Sequence, residues 1–393
     1  MSTSLLRIYL VCRGTEKLLS KWREWLPPNI VNKVYDTKRL IVLDGDILLP
    51  NLGFLQSELG MIRDEDHIII HAASSINLGS ALKRVSDPII GASEIMANLA
   101  FTCKRLDRFI YVSSAYSNAH LYPRGPDADV QINEEICEPG RQSLVLDELN
   151  EVRKSGTSQA YEAENFPWAY AYAKHITERL LQHYFSVHAA EKKLLIIRPC
   201  VIRPAQHFPF PGYNMPMSSP ITMAVTAFAL ALTREVRIAT KMDDPDGRVT
   251  IDEVPVDVVA DRLLCHLAMG TIVEFLMKLR RIPWRLQFRW VKADWRSTDQ
   301  HSISRLYAIL GASFNFSENK TISMCQKLSK EEQQDLQLFT QIDISDNLLT
   351  QTEAIRFAMN TFARKRKIWR LIVWLLYSCF GKTGKTERFL GPT

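Results

Sequence analysis

Apolar residues in the first half of the chain come in short, nearly unbroken runs: "RIYLVCR" 7–13, "RLIVLDGD" 39–46, "HIIIHAA" 67–73, "RFIYVSSA" 108–115 and "LLIIRPCVI" 194–202. Runs of this length without strict alternation predict strands covered on both faces, as in a parallel sheet between layers of helices. Helical stretches such as "ALKRVSDPIIGASEIMANLAFTCKRL" 81–106 lie between them, so the fold class is α/β, a doubly wound parallel sheet. The polar, turn-rich segment 117–165 reads as a long excursion after the run at 108–115. It leads into "NFPWAYAYAKHITERLLQHYF" 165–185, where Ala169, Ala171, Ala173, Leu180 and Leu181 favour helix and Pro167 sits near its start.

From about 205 the pattern changes. "HFPFPGYNMPMSSP" is a proline-rich loop, and the remainder reads as mostly helical, with "SKEE" 329–332 as a capping box of Ser329 and Glu332. The division expected is a nucleotide-binding core over 1–205, a substrate-facing region with a helical C-terminal domain over 206–363, and a basic, apolar tail over 364–393.

Composition narrows the class. The 393 residues are 46% hydrophobic and 23% charged, which is a folded globular chain long enough for two domains. A net charge of +6, spread along the sequence, does not point to nucleic acid. The seven cysteines are scattered without a Cys-x-x-Cys pair, so the expectation is a reduced, intracellular protein with no zinc site. No run approaches the roughly 20 apolar residues of a membrane span. In the tail, "RKRK" 364–367 precedes "IWRLIVWLLYSCF" 368–380, which reads either as an interfacial anchor with a basic collar or as a buried C-terminal helix. On the first reading, peripheral membrane association runs through 364–380, at the endoplasmic reticulum or peroxisomal surface.

The candidate chemistry begins with Tyr170 and Lys174, four positions apart and therefore on one helix face. A phenol, with an ordinary pKa of about 10, is protonated at neutral pH and can donate to an oxygen gaining charge. A neighbouring ammonium is expected to lower that pKa. In doubly wound sheets ligands bind beyond the carboxyl ends of the strands, so those residues are the ones to inspect. Arg13 is placed to take a 2′-phosphate, or is a solvated loop residue; Asp46 can accept from an adenine amino group, or caps a turn. Ala72 and Ala73 are small enough to let a dinucleotide approach the backbone, Ser113–Ser114 can hold a carbonyl oxygen, and Arg198–Pro199 is a stiff turn beside a nicotinamide.

A strand-end serine, a Tyr-x-x-x-Lys helix and a strand ending in Arg-Pro, in that order, resemble the short-chain dehydrogenase/reductase superfamily. "HIIIHAASSINL", "FIYVSSAYSNA", "AYAYAKHITERLL", "IIRPCVI", "PFPGYN" and "VPVDVVADRLL" resemble, more closely, the fatty acyl-CoA reductases, the alcohol-forming enzymes that include plant male-sterility proteins. The stretch 314–362 is similar to that family's carboxy-terminal helical domain. The resemblance implies a triad of Ser114, Tyr170 and Lys174, with Tyr170 protonating the oxyanion, Ser114 holding it and Lys174 binding the nicotinamide ribose. It implies cofactor contacts from Arg13, Asp46, Ala72, Ala73, Lys174 and Pro199, and NADPH-dependent reduction of long-chain acyl-CoA to an alcohol through the aldehyde. The alternatives are a reductase of another carrier-bound thioester or lipid carbonyl, and a catalytically inactive relative that binds acyl chains or a partner.

Two departures from the family stand out. "SDPIIGAS" places Pro88 where the family ordinarily has Asn, and the first strand with its glycine-rich turn has no counterpart, since "LLRIYLVCRG" resembles the family's second strand. "GKTGKT" 381–386 does not supply that turn, because Cys379 stands where its first glycine belongs. The strands at 7–13 and 67–73 are therefore expected to present unpaired edges to each other.

Overall fold

The computed structural model describes residues 7–339 apart from 37–38, 125–130, 139–143, 189–193, 216–217, 221–222, 225–234, 243–244, 246–251, 270–272 and 275–286. The tail 364–393, with its candidate anchor, and the part of 314–362 beyond 339 lie outside the described residues.

The apolar runs all become strands. β1 (Ile8–Cys12), β2 (Leu40–Asp44), β3 (Ile68–His71) and β4 (Arg108–Val112) are followed by the short β5 (Gln131–Ile132) and by β6 (Leu194–Arg198). Pro199, which cannot donate to a ladder, separates β6 from β7 (Val201–Arg203). Then come β8 (Glu235–Thr240), β9 (Glu253–Pro255), β10 (Val273–Glu274), β11 (Gln287–Lys292) and β12 (Asn315–Phe316).

Strands β10-β6-β4-β3 form one parallel sheet, and β1-β2 form another. Among the described residues β1 and β3 are not paired with each other, and each lies at an edge of its sheet. Their apolar side chains nevertheless share a core: Tyr9, Val11, Ile41 and Leu43 pack with Ile69, Phe109, Leu181 and Phe185. At the end of β1 the chain turns through Gly14, whose φ of +68° is one that a side chain would strain, and whose N–H donates to Asp44 at 2.9 Å.

The helix Ala169–Val187 is buried along most of its length and joins two cores. Ala169, Ala173, Ile176 and Leu180 face a cluster with Tyr116, Phe166, Trp168 and Trp295, while Leu181 and Phe185 face the cluster beneath β3 and β4. Burying each large apolar side chain contributes about 1.5–3 kcal/mol, which is why this helix is fixed by packing more than by propensity. It starts two residues after Pro167, with Trp168 still in extended conformation.

The excursion 117–165 holds the helix Val145–Ser155, whose Leu149 and Val152 are buried and whose Glu148 accepts from Arg179 at 2.8 and 2.9 Å. One expectation needs correction. The region after 205 is not mostly helical among the described residues, because β8 pairs with β11 and β7 with β9, both in parallel. Such pairs join segments some fifty residues apart, beyond the reach of local periodicity. The capping box at Ser329 and Glu332 forms as expected.

Candidate active site

The chain leaving β4 runs along the end of β6. Ser113 donates its N–H to Ile197 O at 2.7 Å and Ala115 to Pro199 O at 3.0 Å, so the serine pair is pinned at the carboxyl edge of the sheet. The Ser114 hydroxyl accepts from Tyr116 N at 3.3 Å and hydrogen-bonds the Tyr170 phenol. Lys174, one turn along, is buried and donates from Nζ to Val112 O at 2.9 Å, with Nζ 4.7 Å from the Tyr111 ring centre and 5.9 Å from that of Tyr170. The fold thus brings Ser114, Tyr170 and Lys174 together at one edge.

Their electrostatics reverse the expected order. Burial pushes the Tyr170 phenol up to about 12, opposed by the hydrogen bond from Ser114. Burial also lowers Lys174 from 10.5 to about 7, opposed by the nearby Glu178 carboxylate. Desolvation therefore sets the direction for both groups, and the only effect that opposes it at the phenol is the Ser114 hydrogen bond. Between pH 7 and 10.5 the unfolded lysine holds a proton that the folded one has released. Stability from this group accordingly rises with pH through that window, and the whole penalty is present below it. Comparing denaturation midpoints of wild type and Lys174→Met across the window should show the variant with the flatter rise; parallel curves would contradict the assignment.

Further along the same helix face, Glu178 is fully buried and grips Arg198 through Nε–Oε1 and Nε–Oε2 at 3.0 Å and Nη2–Oε2 at 2.9 Å. Arg198 thus serves the helix rather than a ligand. Pro199 is buried, with its carbonyl occupied by Ala115, while Ala72 and Ala73 are exposed just beyond β3. Arg13 and Asp46 approach to 3.7 Å at the ends of β1 and β2, and Asp46 also caps its own turn by accepting from Leu48 N at 2.9 Å. Pro88 falls in a widened turn, Asp87–Gly91, between the helices Leu82–Ser86 and Ala92–Thr102.

His71 belongs to the site, and no sequence pattern singles it out. It ends β3, stacks on Tyr111 at 5.7 Å and meets Ser93 Oγ at 3.1 Å. Burial, helped by Lys174, lowers it to about 3, so it is a neutral spacer under the lysine. From the C-terminal side, Arg296 donates to Tyr161 O at 3.1 Å and Glu164 O at 3.2 Å, and Arg305 O receives Trp168 Nε1 at 3.2 Å. These bonds fix the segment that delivers Tyr170.

The sequence profile of the family described as Male sterility protein matches residues 1–263. The chain belongs to the male sterility protein family. Among curated proteins it is similar to fatty acyl-CoA reductase 1 of Xenopus laevis, 23% identical over 234 residues, covering 58% of this chain and 41% of the relative. It is also similar to the chloroplastic fatty acyl-CoA reductase 2 of Arabidopsis thaliana, 24% identical over 305 residues, covering 68% and 47%. This member of the male sterility protein family therefore spans less than half the length of those relatives. Among solved structures, the terminal R domain of the myxalamid biosynthetic pathway superposes with a TM-score of 0.53 at 15% identity, covering 91% of this chain and 84% of that one, which supports the α/β fold.

Proposed function

We propose that this male sterility family member is the reductase unit of an enzyme that uses NADPH to reduce a long-chain fatty acyl-CoA to a fatty alcohol by way of the aldehyde. The observation that carries the reading is the Tyr170 phenol, hydrogen-bonded to Ser114 at the carboxyl edge of the sheet beside a lysine that is half-discharged near neutral pH. Family membership and the reductase names of its relatives support it.

The residues present fit the two ends of a nicotinamide dinucleotide, while the glycine-rich turn that would cradle its pyrophosphate has no counterpart among the described residues. Ala72 and Ala73 leave the backbone after β3 open, and the buried Ser113 hydroxyl has no hydrogen-bond partner among the described residues. Arg13 and Asp46 would hold the adenosine end, Ala72 and Ala73 its middle, and Lys174 with Pro199 the nicotinamide end. When bound, the cofactor supplies a hydride to the carbonyl carbon. A phenol held near 12 keeps its proton at neutral pH and yields it only to a strongly basic oxygen, which is what the acyl oxygen becomes as its carbonyl is reduced. Tyr170 protonates that oxygen while Ser114 orients it. As the C–S bond of the resulting hemithioacetal breaks, its hydroxyl proton returns to the Tyr170 phenolate and CoA leaves as a thiolate that solvent protonates. Once a second hydride has reached the aldehyde carbon, the same phenol protonates the alkoxide and is itself reprotonated from solvent.

The test incubates the protein with NADPH and palmitoyl-CoA and follows cofactor absorbance, free CoA and lipid products together. Acyl-CoA-dependent NADPH loss with release of CoA and formation of hexadecanol is expected. NADPH loss that leaves the thioester intact, or none at all, would overturn the reading.

A further inference from the structure

Asp257 opens the helix Val256–Met269, where a carboxylate ordinarily caps its own first turn. Here the local bond is the longest of the set, to Val258 N at 3.2 Å. The carboxylate is buried and spent instead on the main chain of a remote loop: it accepts from Gln206 N at 3.0 and 3.1 Å, His207 N at 2.7 Å and Phe208 N at 3.0 Å. The register of the two strands explains the meeting. Arg203 lies opposite Pro255 in the parallel pair β7–β9, so the residues just beyond each strand emerge side by side.

The loop is closed on itself as well. Ala205 N donates to Tyr213 O and Gly212 N to Ala205 O, both at 2.9 Å, and the Phe210 and Tyr213 rings meet edge-on at 5.4 Å. A loop held this firmly nonetheless leaves Phe208 61% and Phe210 40% exposed. The rings stay in water although the loop that carries them is fixed, which leaves apolar surface free to meet an apolar ligand at little cost in ordering. Its place indicates which ligand. β7 continues from the Pro199 turn that receives Ala115, and Ile202 packs against the same cluster as Tyr170, so the β7–β9 pair from which the loop emerges adjoins the edge of the main sheet that carries Ser114.

We propose that Asp257 is a positioning residue: by gathering the N–H groups of residues 206–208 it holds Phe208 and Phe210 as a fixed apolar face that receives the alkyl chain of the acyl substrate. The inference rests on the reductase reading for its substrate, but its binding arm does not need turnover.

Three variants, Asp257→Asn, Phe208→Ser and Phe210→Ser, are compared with wild type by titrating palmitoyl-CoA against tryptophan fluorescence, and by KM and kcat with palmitoyl-CoA and butyryl-CoA. The amide of Asn presents an N–H where the loop also presents donors, while the two phenylalanine changes are at exposed rings and leave the fold intact. All three should weaken palmitoyl-CoA binding and raise its KM by about tenfold, with KM for butyryl-CoA and both kcat values unchanged. An equal loss for both chain lengths, or an effect of Asp257→Asn that neither phenylalanine variant shares, would overturn the proposal. If wild type binds palmitoyl-CoA without turnover, the reductase reading fails and the dissociation constants alone decide the role of Asp257.

Discussion

Replacing Tyr170 by phenylalanine should lower the rate of NADPH-dependent acyl-CoA reduction by the 10²–10⁴-fold typical of a lost general acid. The change removes one hydroxyl from a helix whose packing is carried by Ala169, Ala173, Ile176 and Leu180, so the fold should survive it. The Ser114 hydroxyl would lose a partner but keep the bond from Tyr116 N. Binding of NADPH should be nearly unchanged, which separates loss of chemistry from loss of structure. Turnover close to wild type would remove Tyr170 from the proton path.

The second large effect is on stability. In Glu178→Ala the Arg198 guanidinium keeps its buried position without the carboxylate that accepts its Nε and Nη2 protons. Breaking a buried ion pair on one side typically costs about 3–5 kcal/mol, because the remaining charge loses the opposite charge that offset its desolvation. Lys174 would suffer too, since Glu178 is what opposes its loss of charge. Equilibrium denaturation of the variant should show a midpoint lowered to match, and a loss below about 1 kcal/mol would mean that water reaches Arg198. Replacing both partners by apolar residues of similar volume should recover much of the loss.

The strands are legible because a doubly covered sheet writes itself as continuous apolar runs, and β1, β2, β3, β4 and β6 fall inside the segments that carry that signal. The helix Ala169–Val187 is legible for a different reason: Tyr170 and Lys174 share a face through spacing alone. What the spacing does not carry is the sign of the electrostatics. The lysine's charge is governed first by burial, opposed by Glu178 one turn on; the burial comes from strand residues such as Tyr111 and Val112 that are not local in sequence. Glu178 is in principle visible, four residues beyond Lys174, but its partner Arg198 lies on a strand twenty residues away and, from its place at a strand end, reads as ligand-facing. The helix Val145–Ser155 is obscured by its own acidic and basic residues, although Leu149 and Val152 supply its buried stripe. Asp257 stands within "VPVDVVADRLL", and no pattern along the chain links it to the main chain of residues 206–208.

The separation of the β1–β2 pair from the four-stranded sheet gives the molecule a seam. Across it, β1 and β2 are joined to the larger sheet by side chains: the apolar contacts of Tyr9, Val11, Ile41 and Leu43, and the solvent-exposed bonds of Arg7 and Tyr9 to Glu65 at 2.7 Å. No main-chain ladder hydrogen bond runs from β1 to β3 among the described residues. A unit attached in this way opens at a lower free energy than the whole, since its release breaks packing but no continuous ladder. The parallel β1–β2 pair, with Arg13 and Asp46 at its ends, should therefore open before the larger sheet does, and hydrogen exchange should show its amides less protected than those of β4 and β6. The adenosine end of the proposed site thus rides on the less stable part of the protein and the proton donor on the more stable part, so that a ligand bridging the two would tighten the seam as it binds.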